Sequence, residues 1–304
     1  MVSTIKNNST FKEKTRLWLL DHPNLNPFNF SIKRSYRNLT SGIRTFPDFI
    51  IIGAGRAGTT ALYSYLIQHP KIIPAYTTNN EDVADLHFFE YMISDNIKWY
   101  KSHFPISFSK SQKKHFITGE FTSTYMYHPD VPKRIFNLLP RVKLIVILRN
   151  PVDKAYATYQ QQFRFGEITT TFEETINAEF RRMNFNTDFP ELNSKNDDFE
   201  NSVAHNIIRH GIYVNYLETW FKIFDTNQIL ILNSYDLKNS TKETLNQIFN
   251  FLNISNYDIP DISPVNVGTY TPINKTTRQK LIDFFKPHNQ RLDELLSTTH
   301  NWDD

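Results

Sequence analysis

The chain has 304 residues, and its 34 Lys and Arg against 31 Asp and Glu give a formal net charge of +3 at pH 7. This length accommodates one large or two small domains with a substantial core, and the absence of cysteine excludes disulfides and thiolate metal sites. The apolar runs are too short to cross a membrane, and the polar first ten residues lack the apolar core of a signal peptide, so a cytoplasmic location is expected.

Taken in chain order, the segments alternate between strand and helix patterns. Apolar runs predict strands near residues 48–52, 71–75, 115–118, 142–148 and 228–233. Periodic or capped segments predict helices near residues 59–69, 131–139, 151–164, 171–183, 205–224, 241–253 and 275–296. This alternation is typical of an α/β fold, in which helices cover both faces of a central, mostly parallel sheet in three αβα layers. Residues 183–201 are polar, acid-rich and aperiodic, which predicts a surface insertion or lid.

Positive charge is concentrated at the N-terminus, where residues 1–44 carry 8 Lys and Arg against 2 Asp and Glu, a net charge of +6. We therefore divide the chain into a basic N-terminal arm, residues 1–45, and one main domain, residues 46–304. The arm is suited to peripheral contact with an anionic membrane or polymer, or else it packs on the surface of the domain. No nucleic-acid motif accompanies the charge, so no nucleic-acid partner is expected.

A glycine-rich turn joins the first predicted strand to the first predicted helix of the domain. It reads Gly53-Ala54-Gly55-Arg56-Ala57-Gly58-Thr59-Thr60. Such a turn directs backbone N–H groups and the positive end of a helix dipole at one point. Arg56 adds a cation, and Thr59 and Thr60 add hydroxyl donors. The turn therefore predicts a site for a phosphate-like anion.

Three anion-binding motifs share features with this turn. The glycine spacing matches the dinucleotide fingerprint, but no acidic residue precedes Glu81 to hold a ribose after the next predicted strand. The Walker A motif requires a lysine where Thr59 stands. The third pattern, Gly-x-x-Lys/Arg-x-Gly-Thr-Thr, fits throughout, with Arg56 as its cation. A strand-to-helix turn whose glycines serve packing alone is the remaining alternative.

A second anion site is predicted where the strand near residues 142–148 ends. Arg149 follows that strand directly, Asn150 is a good N-cap, and Pro151 suits the first helical position. Open α/β sheets bind ligands at the carboxyl ends of their strands. A P-loop NTPase places an acid for Mg²⁺ at such a position, whereas an arginine attracts an anion or pairs with a carboxylate. Two anion sites on two strand ends suit a cofactor with two separated anionic groups.

These motifs resemble those of the sulfotransferases that use 3′-phosphoadenosine 5′-phosphosulfate (PAPS), in the branch of heparan-sulfate-type and bacterial glycan sulfotransferases. Residues 53–60 resemble the 5′-phosphosulfate loop of that family, with Arg56 where lysine is commoner, and residues 149–159 resemble its 3′-phosphate motif. Further similar stretches follow in the family's order at residues 86–89, 99–100, 119–120, 211–213, 266–272 and 284–292.

The resemblance implies a P-loop-like fold and transfer of the sulfuryl group of PAPS to a hydroxyl or amine of a saccharide or glycolipid, without a metal. The released product is adenosine 3′,5′-bisphosphate (PAP). The implied donor-binding residues are Gly55, Arg56, Ala57, Gly58, Thr59, Thr60, Arg149, Ala157, Tyr213, Gly268 and Tyr270. Ala157 stands where the family has a serine. Two rivals remain, a P-loop kinase with a displaced cation and a homologue that binds nucleotide or glycan without turnover.

The catalytic residues are also implied by the resemblance. Asp85 matches the family's catalytic glutamate and is one methylene shorter, and His87 is the alternative general base because its pKa is suited to proton transfer. Arg56 is assigned to stabilising the charge on the leaving group, which is PAP. Asp85 is also expected to contact the acceptor, together with Ser123 and Thr124.

One catalytic cation of the family is missing at its usual position. The family often has a lysine after the glutamate that matches Glu120, and Phe121 stands there instead. Another cation, Lys154 or Lys101, is therefore expected to assist. No metal-ligand pattern is present, and no metal is expected.

Overall fold

A computed structural model describes residues 30–76, 85–91, 96–107, 116–185, 206–264 and 271–302. Five strands form one parallel sheet in the order β2-β3-β1-β4-β5. The strands are β1 (Phe49–Gly53), β2 (Ile72–Pro74), β3 (Ile117–Phe121), β4 (Lys143–Leu148) and β5 (Ile229–Asn233). Helices flank this sheet, so the predicted α/β fold with its three-layer arrangement is confirmed, and every strand pairing in the sheet is parallel.

Ten α-helices lie among the described residues. They are α1 (Phe30–Leu39), α2 (Thr59–Leu66), α3 (Ile97–Ser102), α4 (Val131–Leu138), α5 (Pro151–Phe165), α6 (Phe172–Phe185), α7 (Tyr213–Phe221), α8 (Ser234–Asn239), α9 (Thr241–Leu252) and α10 (Lys275–Leu296). Short 3₁₀ turns cover Ser41–Ile43, Tyr125–Tyr127, Arg209–Gly211 and Thr226–Gln228. No helix in these ranges is long and apolar enough to span a membrane.

The two central strands form the core of the sheet. Every residue of β1 is buried, and so are the five residues that follow Lys143 in β4. Parallel strands that are covered on both faces read as continuous apolar runs, which is why the sequence located them well. The chain passes from β1 to β2 and β3 on one side and then crosses to β4 on the other. This reversal of strand order opens a crevice at the carboxyl end of β1.

The predicted helix near residues 205–224 is divided in the structure. A 3₁₀ turn, Arg209–Gly211, precedes α7, which begins at Tyr213. Gly211 lies so close to the ring of Phe285 in α10 that an added Cβ would come within 2.7 Å of it. The chain is therefore held against α10 at this point by a packing contact that the local pattern does not contain.

The N-terminal segment packs on the domain where the structure describes it. Arg37 in α1 donates to the carbonyl of Ser102 (2.7 Å), and buried Arg44 donates to that of Phe104 (2.7 Å). Residues 1–29 of the predicted arm lie outside the described ranges, as do residues 186–201 of the predicted insertion.

Candidate functional site

The glycine-rich turn leads from the carboxyl end of β1 into α2. Gly58 is the N-cap of α2 and has a φ of 106°, a left-handed conformation that glycine adopts without steric penalty. Arg56 also has a positive φ, 65°. Thr59 and Thr60 form the first turn of α2, and residues 55–60 all line one large cleft. The N-terminus of α2 therefore presents its unpaired N–H groups at the cleft wall.

The second predicted anion site lies beside the first, because β4 is the neighbour of β1 in the sheet. Arg149 follows β4, and Asn150 caps α5 by accepting hydrogen bonds from the N–H groups of Val152 (2.9 Å) and Asp153 (3.4 Å). Nη1 of Arg149 donates to the carbonyl of Arg56 at 3.1 Å. The two arginine-bearing strand ends thus meet at one edge of the sheet.

The cleft at this edge has a volume of about 2040 Å³. It brings together most of the residues that the sequence singled out. The predicted site residues that line it are Gly55, Arg56, Ala57, Gly58, Thr59, Thr60, Asp85, His87, Ser123, Thr124, Arg149 and Ala157. Gly268 and Tyr270 lie outside the described residues.

Tyr213 lies behind the cleft rather than on its wall. Its side chain is buried, and its hydroxyl donates to the carbonyl of Arg149 at 2.8 Å. Burial raises the pKa of Tyr213, so the hydroxyl stays protonated and able to donate. The geometry therefore gives Tyr213 a part in holding the backbone of Arg149.

The hydroxyl that the family serine would supply is not replaced by its neighbour. Ala157 is buried in the cleft wall, and the hydroxyl of Thr158 donates to the carbonyl of Lys154 on the same helix at 2.9 Å. The Thr158 hydroxyl therefore does not replace the donor that a serine at position 157 would supply.

The two candidate bases form a cluster with a third residue that sequence reasoning missed. Nε2 of His87 lies 3.2 Å from Oδ1 of Asp85, and Nδ1 lies 2.5 Å from Oε2 of buried Glu90. Burial lowers the pKa of His87, but hydrogen bonds and charge from both carboxylates outweigh it and raise the pKa to about 10. His87 is therefore an imidazolium at neutral pH and has no lone pair for an incoming proton. This geometry favours Asp85 over His87 as the general base.

A buried hydrogen-bond chain holds the segment that carries Asp85 and His87. The hydroxyl of Thr122, just after β3, accepts from the N–H groups of Leu86 (3.2 Å) and His87 (3.3 Å). It donates in turn to Glu120 at 3.0 Å, and Tyr100 donates to the other oxygen of Glu120 at 2.7 Å. Burial raises the pKa of Glu120 to about 8, although these hydrogen bonds oppose it.

The two cations proposed to compensate for Phe121 have different locations. Nζ of Lys101 donates to the carbonyl of Gly42 at 3.3 Å, away from the cleft lining. Lys154 lines the cleft, and only 2% of its surface is exposed. Phe121 also lines the cleft and is buried. Among the described residues, no three His, Cys, Asp or Glu side chains are grouped so that they could hold a metal ion.

Comparison with known proteins identifies related chains. Residues 46–264 match the family model described as "Sulfotransferase domain". The membrane-associated sulfotransferase kil1 of Dictyostelium discoideum is 26% identical over 320 residues, which cover 84% of this chain and 66% of that protein. The bifunctional heparan sulfate N-deacetylase/N-sulfotransferase 1 of Mus musculus is 30% identical over 214 residues, which cover 69% of this chain but 22% of that protein.

A solved structure has the same fold. The sulfotransferase from Alicyclobacillus acidocaldarius superposes with a TM-score of 0.65 at 21% sequence identity, covering 86% of this chain and 100% of that one. The family model extends over most of the chain, from just before β1 to beyond α9. The chain belongs to the sulfotransferase family of enzymes.

Proposed function

We propose that the chain transfers the sulfuryl group of PAPS to a hydroxyl or amine of a saccharide or glycolipid and releases PAP. The observation that carries this proposal is the meeting of two arginine-bearing strand ends on one cleft, with Arg149 bonded to the backbone of Arg56. PAPS has anionic groups at both ends, a 5′-phosphosulfate and a 3′-phosphate. Charge-assisted hydrogen bonds to such groups contribute roughly 1.5–3 kcal/mol each.

In this proposal the donor side of the cleft is formed by β1 and β4. Arg56, the N–H groups at the start of α2 and the hydroxyls of Thr59 and Thr60 stabilise the charge that develops on the leaving phosphate. Arg149 binds the 3′-phosphate, and Tyr213 holds the backbone of Arg149 in place. Gly268 and Tyr270 remain predictions for the segment that closes over the nucleotide.

The acceptor side is formed by the segment of Asp85 and by the turn after β3. Asp85 accepts the proton of the attacking group, while His87 orients Asp85 and lowers the local negative charge. Ser123 and Thr124 line the same cleft and contact the acceptor.

The saccharide assignment is supported by the relatives. Several are described as heparan sulfate N-deacetylase/N-sulfotransferases, although this chain spans less than a third of their length. The relative from Dictyostelium discoideum is described as membrane-associated, which supports peripheral membrane contact through the basic arm, residues 1–45.

The test is a calorimetric titration with PAP in the presence of EDTA, beside a titration with ATP and Mg²⁺. We expect binding of PAP without metal, because the proposed site uses arginines, hydroxyls and backbone N–H groups. Arg56→Ala is expected to abolish PAP binding, since it removes the cation of the loop. Lys222→Met, on an exposed side chain at the end of α7, is the matched control and leaves PAP affinity unchanged.

The other possible results of the titrations and of a sulfate-transfer assay distinguish between the rival functions. Binding of ATP only, with Mg²⁺, would support the P-loop kinase with a displaced cation. No binding of either nucleotide would overturn the proposed function. PAP binding without transfer of radiolabelled sulfate from PAPS to any of a panel of saccharides and glycolipids would support a homologue that binds without turnover. Unchanged PAP affinity in Arg56→Ala would show that the loop is wrongly assigned.

A further inference from the structure

Lys154 places a buried amino group in the lining of the cleft. It lies in the first turns of α5, lines the cleft and is 2% exposed. Its Nζ makes no hydrogen bond or ion pair with another residue of the described ranges, and lies 5.3 Å from the centroid of the Tyr127 ring. Burying an ammonium without a bonded partner is unfavourable. A buried lysine of this kind at a cleft wall indicates a ligand that supplies the missing acceptor.

The charged groups around Lys154 leave its ammonium without a bonded counter-ion. Glu179 of α6 attracts it, but the carboxylate of Glu179 accepts the N–H groups of Ile208 (3.0 Å) and Arg209 (2.8 Å) instead. Arg56 of the loop repels it. His210 stacks on the Tyr127 ring with 4.0 Å between centroids, and burial holds its pKa well below the usual value, so it is neutral.

These surroundings make Lys154 titrate near neutrality. Burial lowers the pKa of Lys154, Glu179 opposes that effect, and Arg56 adds to it, so that the pKa falls to about 7. At pH 7.5 the free protein therefore carries Lys154 mainly in its neutral form.

A second donor without an acceptor lies beside the lysine. Tyr127 lines the cleft and is 4% exposed, and its buried hydroxyl donates to no acceptor among the residues that the structure describes. This hydroxyl lies beside the backbone of Gly55 in the glycine-rich turn. An ammonium and a hydroxyl therefore converge next to a loop that already presents N–H groups and Arg56. Such a concentration of donors matches an anionic group.

We propose that Lys154 is a further anion-binding residue of the donor site, and that its ammonium binds the 5′-phosphosulfate end of the donor together with Arg56. This inference rests on the proposed function. The 5′ end is assigned because Lys154 lies close enough to Arg56 for the two positive charges to repel each other, and because it packs on Tyr127, which lies beside Gly55. An anion bound beside Lys154 favours its charged form, so binding of the nucleotide takes up a proton near pH 7.5.

The test is a titration with PAP at pH 7.5 in buffers of different ionisation enthalpy that contain no phosphate or sulfonate. On binding PAP, the wild-type protein is expected to take up about half to three quarters of a proton more than Lys154→Met does. This is the fraction of Lys154 that is neutral at pH 7.5 when its pKa is near 7, and that becomes charged when the anion binds. Lys154→Arg stays protonated and is expected to bind PAP without this uptake. Lys222→Met behaves as wild type.

Affinities locate the contact on the nucleotide. Lys154→Met is expected to raise the Kd of PAP about ten- to a hundredfold, the loss of one charge-assisted hydrogen bond. It should change the Kd of adenosine 3′-monophosphate, which lacks the 5′-phosphate, by less than about twofold. Thermal unfolding without nucleotide confirms that the variant is folded, and methionine keeps the unbranched stem while removing the titratable amine.

The outcomes separate this inference from the proposed function. Failure of the wild type to bind PAP would overturn the proposed function and the inference with it. If the wild type binds PAP, equal proton uptake by wild type and Lys154→Met would overturn the inference alone. An equal loss of affinity for PAP and for adenosine 3′-monophosphate would contradict the assignment to the 5′ end.

Discussion

The carboxylate of Asp85 and the ring of His87 lie 3.2 Å apart at the cleft wall, and the sequence alone leaves both as candidates for the general base. The second carboxylate, on Glu90, decides between them, because it lies at the other ring nitrogen and keeps His87 protonated. A protonated His87 can orient Asp85 and balance its charge. The proton-accepting role then falls to Asp85 in the proposed reaction.

Two measurements test this division of roles. Asp85→Asn is expected to lower kcat about 10²–10⁴-fold, the usual contribution of a general base, while the Kd of PAP is unchanged. In the wild type, kcat is not expected to fall as the pH drops through 6.5, because His87 stays protonated up to a pH of about 10. The surface variant Asp225→Asn is the control. A kcat that declines below pH 6.5 with one titrating group would instead identify His87 as the base.

Among single residues, those next to a strand end were predictable from sequence. Arg56 and Arg149 each follow an apolar run by a few positions, so their place at the edge of the sheet follows from the fold alone. Lys154 was named only as one of two candidate cations. It lies near Tyr127 and is attracted by Glu179, which come from elements distant in sequence. No local pattern encodes such a contact.

At the scale of elements, the central strands were predicted well because β1 and β4 are buried on both faces and flanked by clear signals. Gly53 ends β1, and the Asn150-Pro151 pair begins α5. The short helices α3 and α8 were missed because six residues are too few for a helical period to be recognised.

The pairing of β1 with β3 depends on a close contact between a glycine and an aromatic ring. Gly119 is the direct partner of Phe49 across the two strands, and a Cβ at Gly119 would lie 2.5 Å from the Phe49 ring. Gly119→Ala is therefore expected to lower the free energy of unfolding by about 1–3 kcal/mol through overpacking. Urea denaturation measures the change.

Two further variants make that prediction specific. Gly42→Ala adds a Cβ where no atom lies within 4 Å and is expected to change the free energy of unfolding by less than about 0.5 kcal/mol. Phe49→Leu in the Gly119→Ala background is expected to cost less than it does in the wild type, because a smaller side chain relieves the overlap. Additive losses in the double variant would contradict a direct clash between the two residues.

For the molecule as a whole, the strand order gives the cleft two chemically different sides. The loop after β1 and Arg149 after β4 form the proposed donor side, while Thr122 after β3 holds the segment of Asp85 and His87 on the proposed acceptor side. Because β1 lies between β3 and β4, the proposed donor and acceptor sides adjoin each other at the carboxyl end of β1. The proposed in-line transfer between two bound reactants requires this proximity.

The C-terminal segment, beyond the part matched by the family model, connects to the second anion site. The carbonyl of Trp302 accepts from Nδ2 of Asn150 at 3.2 Å, and the Trp302 ring packs on Tyr213 with 5.9 Å between centroids. Tyr213 in turn holds the carbonyl of Arg149. His300 lies 2.5 Å from Asp293 of α10, which fixes the path of the segment. Trp302 thus contacts Asn150 and Tyr213, the two residues that adjoin Arg149 at the proposed 3′-phosphate site.

Trp302→Ala tests this connection, because it removes the ring that packs on Tyr213. We expect it to raise the Kd of PAP about three- to tenfold, and to reduce the increase in Tm that saturating PAP produces, since ligand stabilisation depends on the ratio of concentration to Kd. Trp302→Phe keeps an aromatic ring against Tyr213 and is expected to retain most of the affinity. Unchanged PAP affinity in Trp302→Ala, with the protein folded, would show that Arg149 holds its position without the C-terminal segment.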